Sequence, residues 1–552
     1  MSAGTLIQSV DWLAVAPPAI TAAVALIVLV ADLFVEERRK PLLGGLSVGG
    51  LALALLSLIP LRAGDRATFC LTGGADGHGG HLCSYTADHF ALVIQLLVLG
   101  GALLTALLSM PGRAVTPGAG GTGTGAAAGG TGDEAGATDA RRPRGAVTEA
   151  GAFPGEYWFL LLSSAAGAAL LPAARDLATL VVALEIASLP AFALVGIRRG
   201  DRLSAEAALK FFLSSVAATA VMLLGVSFVY GATGTLHLTA IAAALPHVQG
   251  QLHILARTGV LLTLVGFAFK TAAAPFHFWV PDTYVGAPLP IAAYLSVVSK
   301  AVGFSGLILV AVVAFPPYAH LWGPVLAVIA ALTMSVGNVA ALRQSATRAR
   351  GAVRLLAWSS VAQAGYLLVP IAAAGYAGER RIGSTVAYAL MYAAVNLGAF
   401  GVATLVARTS PLNRIEDYRG LYARRPVTAL ALAFFLLCLA GLPPGIIGLF
   451  AKVTVFSSAV DAGLGWLAVV MAANVACALY YYLRWTALLF RSPDPVSGDA
   501  DEAPTILPGA ASVTVPRAPR PVVAAVALAA VAGIALSGAP QLVLRFTDMN
   551  LF

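Results

Sequence analysis

Apolar runs of about 20 residues recur from one end of the chain to the other, and they constrain its fold more than any other feature. A helix of that length crosses the hydrocarbon core of a bilayer with all its backbone groups hydrogen-bonded internally. Charged residues make up only 11% of the sequence, whereas soluble domains carry about 25%. The sequence therefore predicts an all-α, multi-pass membrane protein.

Fourteen transmembrane helices are expected from the positions of these runs. The twelfth run is too long for one straight crossing and contains the sequence LPPG at 442–445, so we expect this span to be broken. The predicted spans are approximately 17–35, 42–61, 90–110, 157–174, 177–197, 204–230, 258–279, 288–314, 322–342, 353–374, 382–407, 428–460, 464–490 and 521–538.

The distribution of positive charge predicts the orientation. If the N-terminus is external, most of the 34 lysines and arginines fall in cytoplasmic connections, as the positive-inside rule requires. An even number of spans then places the C-terminus on the external side too. The net charge of +8 reflects this orientation, so we expect a lipid bilayer around the chain and no nucleic-acid partner.

The chain divides at two polar connections. Residues 111–155 and 492–520 are rich in Gly, Thr, Ala, Pro or Asp and poor in bulky apolar residues, which indicates flexible cytoplasmic segments. Residues 1–110 hold three N-terminal spans, and 521–552 hold the last. The remaining spans form two sets of five, at 156–320 and 321–491. In each set the fourth member, span 7 or span 12, is interrupted by proline, which predicts two inverted five-helix repeats with broken helices.

Cysteine is too sparse for a metal or iron–sulfur centre. Cys70 and Cys83 share the external loop after span 2, where a disulfide could form, and the sequence leaves that pairing open. Cys438 and Cys477 fall within spans as small apolar residues.

Lysine usage is the most informative feature of the composition. Only five of the 34 basic residues are lysines, and four of those lie inside apolar spans: Lys210, Lys270, Lys300 and Lys452. Arginine stays protonated when buried. A lysine deprived of water can instead lose its proton near neutral pH, because a low dielectric disfavours the ammonium form. The pattern predicts a lateral row of proton-binding groups.

One acid matches these amines. Glu185 lies about 14 Å below the external end of span 5, and Lys270 about 18 Å below that of span 7, at 1.5 Å per helical residue. The depths allow contact, and a carboxylate beside an ammonium stabilises it. We therefore expect Glu185 to control the proton affinity of Lys270, with Pro275 opening the backbone beside it.

Plainer interpretations remain open for each group. Lys210 could extend to the cytoplasmic surface, Lys300 could pair with a backbone carbonyl, and Glu185 with Lys270 could be a purely structural ion pair. His277 is either a cap at the helix break or a proton relay. Aromatic residues near span ends are expected in the membrane interfaces: Tyr157, Trp158, Trp279, Trp322 and Trp466.

Several motifs occur in an order that resembles one family. They are ALEIASLPAFALVG around Glu185, AEAALKFFLSS around Lys210, FKTAAAPFHFWVPDTYVGAPLP, the Lys300 segment, MSVGNVAALRQ, RLLAWSSVAQAGYLL and LAGLPPGIIGLFAKVTVF. Together, over about residues 155–490, they closely resemble the N subunit of respiratory complex I, the proton-translocating NADH-quinone oxidoreductase.

This resemblance implies an antiporter-like membrane-arm subunit with a proton channel, in a bacterial plasma membrane beside other membrane-arm subunits. It implies no cofactor in this chain, with NADH, flavin, iron–sulfur clusters and quinone handled by partner subunits. By motif, Glu185 is the coupling glutamate, Lys270 the central lysine, Lys300 the connecting lysine and Lys452 the lysine of the second half-channel. Lys210 matches a further family lysine.

Two other functions are compatible with the sequence. The chain could belong to a multi-subunit cation/proton antiporter, whose members share this fold and these lysines, or it could be a structural membrane subunit without its own proton path. One departure from the family pattern affects the path itself. Gln363 occupies a position where the family often has histidine, and an amide cannot carry the proton charge.

Overall fold

The computed structural model describes residues 10–36, 39–71, 82–111, 153–378, 382–492, 518–547 and 551, and it is almost entirely helical over these ranges. The helices are α1 (Trp12–Phe34), α2 (Pro41–Leu56), α3 (His89–Ser109), α4 (Gly155–Leu170), α5 (Leu177–Val195), α6 (Arg202–Thr233), α7 (Leu238–Ala244), α8 (Gln251–Thr271), α9 (Trp279–Gly286), α10 (Leu289–Tyr294), α11 (Lys300–Ile308), α12 (Ala319–Leu342), α13 (Gly351–Ala377), α14 (Ile382–Ala407), α15 (Leu421–Arg424), α16 (Pro426–Ala440), α17 (Ile446–Asp461), α18 (Gly465–Phe490), α19 (Arg520–Gly538) and α20 (Gln541–Leu544). Two short strands, β1 (Arg66–Cys70) and β2 (Cys83–Ala87), form a hairpin.

Twelve helical segments of the described chain are long and apolar enough to cross a membrane. The other two predicted spans, 157–174 and 428–460, fall on shorter helices. The first is α4, which continues through a 3₁₀ turn at Leu171–Ala173. The second is the pair α16 and α17, separated at 441–445. The expected break in span 12 is therefore present, and the connectivity accommodates fourteen crossings.

Span 7 is interrupted as well. Helix α8 ends at Thr271, and Ala272 follows in the left-handed conformation with a φ of 65°. Helix α9 begins only at Trp279, so the crossing runs well beyond the predicted 258–279 in both directions. Span 8 contains two π-helical segments, Leu295–Ser299 and Leu309–Ala314, which the hydropathy pattern did not indicate.

Both described ends of the chain lie on one side of the bundle. The N–H of Asp11 donates to Thr68 Oγ1 of the hairpin at 3.1 Å, and the N–H of Phe90 donates to the carbonyl of Leu551 at 3.2 Å. The hairpin itself is closed by the Cys70–Cys83 disulfide, which settles the pairing that the sequence left open. An even number of crossings follows from this arrangement.

Equivalent helices pack together in the two predicted repeats. Helix α6 packs against α8 and α9, and α14 packs in the same way against α16 and α17; likewise α4 packs on α5, and α12 on α13. The longest central helices of the second set, α13 and α14, are almost entirely buried. The inverted relation between the repeats stays a prediction. The proposed flexible segments, 111–155 and 492–520, lie almost wholly outside the described residues.

Four of the five aromatic residues expected in the membrane interfaces are buried inside the bundle and do not face lipid. Tyr157, Trp158, Trp279 and Trp322 are at most 1% exposed, and only Trp466, at 48%, is open. The polar atoms of three of the buried residues have internal partners: Tyr157 with Ser109, Trp279 with the carbonyl of Phe269, and Trp322 with that of Phe315. A satisfied N–H or O–H removes the reason to remain at the water interface.

Small residues bring α6 and α8 into close contact. A Cβ on Gly225 would lie 2.4 Å from the backbone nitrogen of Thr263, so no side chain fits there without moving a helix. We predict that Gly225→Ala destabilises the chain by about 1–3 kcal/mol through overpacking. The matched control is Gly231→Ala on the same helix, where the nearest atom, Leu255 Cδ2, is 3.7 Å away. Thermal unfolding in membranes measures both, and equal stability of the two variants would contradict this packing.

Candidate functional site

Lys270 lies in the last turn of α8, immediately before the interruption of span 7. Its side chain is only 2% exposed, and its Nζ donates to Ser215 Oγ of α6 at 2.9 Å. The interruption frees backbone carbonyls at the end of α8. The carbonyl of Phe269 accepts from Trp279 Nε1 of α9 at 3.2 Å. The lysine is thus available to partners outside its own helix.

Three aromatic rings surround this amine. Lys270 Nζ lies 5.2 Å from the ring centre of Phe192, 5.4 Å from that of Phe211 and 5.8 Å from that of Phe269. The negative faces of such rings attract a cation, most strongly where water is excluded. The cage therefore tolerates both the charged and the neutral amine, because rings impose no fixed counter-charge.

Glu185 connects to Lys270 through α6 and makes no direct ion pair with it among the described residues. Its Oε1 accepts from Thr219 Oγ1 at 2.9 Å, and Thr219 lies one helical turn from Ser215, the partner of Lys270. Glu185 is half-buried on α5. The contact allowed by the depth estimate is therefore indirect: two hydroxyls on one face of α6 separate the carboxylate from the amine.

A cavity adjoins Lys270 on the side facing span 8. Its volume of about 10 Å³ is close to that needed for a single water molecule, and its polar lining comes from Lys270 with Ser164, Ser188, Tyr294 and Ser299. Tyr294 OH donates to Ser164 Oγ at 2.8 Å. Hydroxyls lining a space of this kind suit ordered water. The cavity reaches Ser299, the residue before Lys300.

Lys300 begins α11, directly after a π-helical segment. It is 1% exposed, and its Nζ has no hydrogen-bond partner among the described residues. His277, in the interruption of span 7, interacts electrostatically with Lys300, and its Nδ1 is likewise without a partner there. The carbonyl partner considered for Lys300 is thus absent from this structure. A buried amine without a fixed partner is poorly stabilised when charged.

Lys452 lies in α17, just past the interruption of span 12, and is 5% exposed. Its Nζ donates to the carbonyls of Leu439 at 2.8 Å and Ala440 at 2.7 Å, which are the free carbonyls at the end of α16. A cation is stabilised at the negative end of a helix. Lys452 Nζ also lies 5.8 Å from the ring centre of Tyr366.

Gln363 is the centre of a buried polar network in the second repeat. Its Oε1 accepts from Tyr388 OH, its Nε2 donates to Tyr482 OH at 3.2 Å, and Tyr482 OH shares a hydrogen bond with Ser359 Oγ at 2.5 Å. The ring of Tyr388 lies 6.0 Å from that of Tyr366, beside Lys452. Sequence reasoning missed these tyrosines, although their positions in mid-span, away from the interfaces, were a usable signal.

Lys210 differs from the other lysines. Its side chain is 49% exposed and pairs with Glu206 at 2.8 Å and Asp282 at 2.9 Å. Lys270, Lys300 and Lys452 are buried, as expected for members of the predicted row. Lys210 lies instead at the surface of the bundle. Helical periodicity explains the difference, because the exposed face of α6 carries Glu206 and Lys210 one turn apart.

Within the described ranges, no group of three or more His, Cys, Asp or Glu side chains is arranged to hold a metal ion. The chemistry that this arrangement offers is proton binding. Three buried amines lie beside hydroxyls, an amide and two interrupted helices, and each can hold or release a proton according to its surroundings.

Comparison with known proteins gives consistent matches along the chain. Residues 174–477 match the family model described as NADH:quinone oxidoreductase/Mrp antiporter, TM. NADH-quinone oxidoreductase subunit N 2 of Streptomyces griseus is 69% identical over 552 residues, covering 100% of this chain and 96% of the relative. Subunit N of Salinispora tropica is 42% identical over 501 residues, covering 89% of this chain and 87% of the relative.

Solved structures of membrane complexes contain chains with the same fold. A chain of respiratory complex I from Thermus thermophilus with bound aureothin superposes with a TM-score of 0.68 at 31% identity, covering 96% of this chain and 98% of that chain. A chain of the Mrp complex from Dietzia has a TM-score of 0.73 at 19% identity, covering 97% and 96%, and this likeness concerns the fold.

The network around Gln363 yields a stability prediction. Tyr482→Phe leaves the Gln363 amide and the Ser359 hydroxyl short of a buried partner, and we expect a loss of about 1–3 kcal/mol in the free energy of unfolding. Tyr480→Phe, two residues earlier on α18 and 60% exposed, serves as the control and should be neutral. Thermal unfolding in native membranes compares the two; a neutral Tyr482→Phe would show that the network is not structurally important.

Proposed function

The chain belongs to the family of N subunits of NADH-quinone oxidoreductase, and we propose that it conducts protons through its buried lysines while that complex passes electrons to quinone. One observation carries this proposal. Lys270, Lys300 and Lys452 are each at least 95% buried, and two of them flank helix interruptions. Such groups in membrane helices cost several kcal/mol and mark ion or proton pathways.

We propose that Glu185 controls Lys270 through the α6 hydroxyls. A negative charge on Glu185 favours the ammonium form of Lys270. Thr219, which donates to Glu185, and Ser215, which accepts from Lys270, lie one turn apart on α6 and place the two groups on the same face of that helix. When redox steps elsewhere in the complex move Glu185 or change its charge, the amine releases its proton. The aromatic cage supports this role because it accepts either form of the amine.

The lateral route is proposed to run from Lys270 through the serine-lined cavity to Lys300, and then to Lys452. In the second repeat the hydroxyls of Tyr388, Tyr482 and Ser359 connect through Gln363. Gln363 cannot hold the proton as histidine would. It fixes the direction of two hydrogen bonds, so the proton itself must move along hydroxyls or water on this stretch.

The chain is a membrane-arm subunit and is surrounded by other such subunits and lipid. We propose that it lies in a bacterial plasma membrane with both termini external, because most lysines and arginines then face the cytoplasm. Protons would enter from the cytoplasm and leave outside. NADH, flavin, iron–sulfur clusters and quinone are assigned to partner subunits, and the repeats at 156–320 and 321–491 to the two half-channels.

Of the two other functions considered, the 69% identity along the whole chain to an N subunit favours NADH-quinone oxidoreductase over an antiporter complex. A purely structural role would give the buried amines no purpose. The antiporter alternative predicts small antiporter subunits as co-purifying partners in place of flavin and iron–sulfur subunits. The structural alternative predicts that replacing the central lysine leaves proton pumping intact, which is the direct test of the proposal.

We predict that Lys270→Met lowers the number of protons moved per NADH oxidised, because the path loses its central proton-binding group. Proton pumping and electron transfer are followed together in membrane vesicles, with assembly checked by the content of partner subunits. Lys40→Met is the control, since Lys40 is the lysine outside the spans. Normal pumping by assembled Lys270→Met would reject this site and support a structural role.

A further inference from the structure

Five buried polar side chains meet where the two predicted repeats pack against each other. Tyr284 of α9 and Ser296 of span 8 come from the first repeat, and Ser360 of α13 comes from the second together with Tyr392 and Asn396 of α14. None of them is more than 2% exposed. We call these five residues the inter-repeat cluster. Polar groups inside a membrane bundle are costly, and they commonly mark ion or proton pathways.

Hydrogen bonds within the inter-repeat cluster cross the boundary between the repeats. Asn396 Nδ2 donates to Ser296 Oγ at 2.6 Å, which joins α14 to span 8. Tyr392 OH donates to Ser360 Oγ at 2.8 Å and also interacts with Ser296. Tyr392 is therefore within reach of a hydroxyl from each repeat. Because a hydroxyl both donates and accepts hydrogen bonds, it can take up a proton on one side and give one up on the other.

On the side of the first repeat, the cluster begins next to Lys300. Ser296 precedes Lys300 by four residues in span 8, which makes the two side chains neighbours on the helix surface. Lys300 Nζ has no hydrogen-bond partner among the described residues, and neither has Asn396 Oδ1. One of these atoms is a donor and the other an acceptor. The cluster thus offers Lys300 complementary groups, directly or through an ordered water molecule.

On the side of the second repeat, the cluster continues into the network around Gln363. Tyr388 precedes Tyr392 by one turn of α14, and Gln363 follows Ser360 by three residues on α13. The hydrogen bond from Tyr388 OH to Gln363 Oε1 therefore lies one turn away from that between Tyr392 and Ser360, along the same pair of helices. Polar side chains follow one another without a break in sequence register from the cluster into this network.

We propose that the inter-repeat cluster is the proton link between Lys300 and the second half of the path, with Tyr392 as its relay and Asn396 as a positioning residue. This inference rests on the proposed function and names the groups that carry the proton across the boundary of the repeats. Asn396 holds the hydroxyl oxygen of Ser296 in place, and Tyr392 joins that hydroxyl to Ser360.

The transfer conserves protons at every step. Ser296 Oγ now donates to the carbonyl of Ala293 at 2.7 Å, and rotation of this O–H directs it to Tyr392. The Ser296 oxygen has two lone pairs, so it can accept from Asn396 and from the Lys300 ammonium together. When Ser296 takes the proton of Lys300, it passes its own proton to Tyr392, which passes its own to Ser360. Each hydroxyl is restored, and one positive charge has moved toward Gln363.

Removal of the relay hydroxyl tests this link. Tyr392→Phe keeps the ring, and we expect the protons moved per NADH oxidised by the intact complex in vesicles to fall to the value of Lys270→Met. Both changes interrupt one path in series, so the double variant should pump no less than Lys270→Met alone. Asn396→Leu, which leaves Ser296 without its fixed donor, should lower the same ratio.

Tyr157→Phe is the matched control. Tyr157 is equally buried, and its OH shares a hydrogen bond with Ser109 Oγ at 2.5 Å, between α4 and α3. The two Tyr→Phe changes each remove one buried hydrogen bond and should cost similar thermal stability. Only Tyr392→Phe should change the ratio of protons to NADH, which a purely structural hydroxyl would leave unaltered.

A wild-type ratio in assembled Tyr392→Phe or Asn396→Leu overturns the proposal, and so does a double variant that pumps less than Lys270→Met alone. If Tyr392→Phe fails to assemble, Ser360→Ala decides, because it removes the next hydroxyl, and a wild-type ratio then rejects the link. Normal pumping by Lys270→Met rejects the proposed function itself. Reduced pumping by Lys270→Met with a wild-type ratio in Tyr392→Phe rejects only the link.

Discussion

The cost of holding an ammonium group away from water governs this structure. Lys270, Lys300 and Lys452 are buried in helices that otherwise bury only neutral side chains, and a charge at such depth costs at least about 2.5–3.5 kcal/mol. The surroundings of the three amines differ. Lys270 has a hydroxyl and aromatic rings, and Lys452 has two carbonyls, whereas Lys300 has no hydrogen-bond partner among the described residues. Each amine therefore has a different set of partners, although all three are withdrawn from water.

The interrupted helices supply some of these partners, so the breaks in the fold also shape the site. In span 12 the break frees carbonyls at the end of α16, and Lys452 from the far side of the break binds them. In span 7 the lysine precedes the break, and the carbonyl of Phe269 accepts from both the N–H of Ala272 and Trp279 Nε1. Lys270 is consequently free to bind Ser215 on another helix, while Lys452 is tied to its own broken span.

Composition, hydropathy and proline positions were sufficient to predict the membrane class, the approximate positions of the spans, the two breaks and three buried lysines. They could not predict contacts between helices. The exposure of Lys210, the indirect link between Glu185 and Lys270, and the burial of Trp158 all depend on which face of a helix meets a neighbour. In an apolar span every face is hydrophobic, so periodicity carries little of that information.

The central claim is that Lys270 works by alternating between charged and neutral forms. The most direct measurement is the number of protons moved per NADH oxidised by Lys270→Arg in assembled complex. Arginine keeps the positive charge and the capacity to bind Ser215 but does not release its proton. The account predicts electron transfer with fewer protons moved per NADH oxidised. Pumping at the wild-type ratio would show that a permanent charge suffices, and would contradict the account.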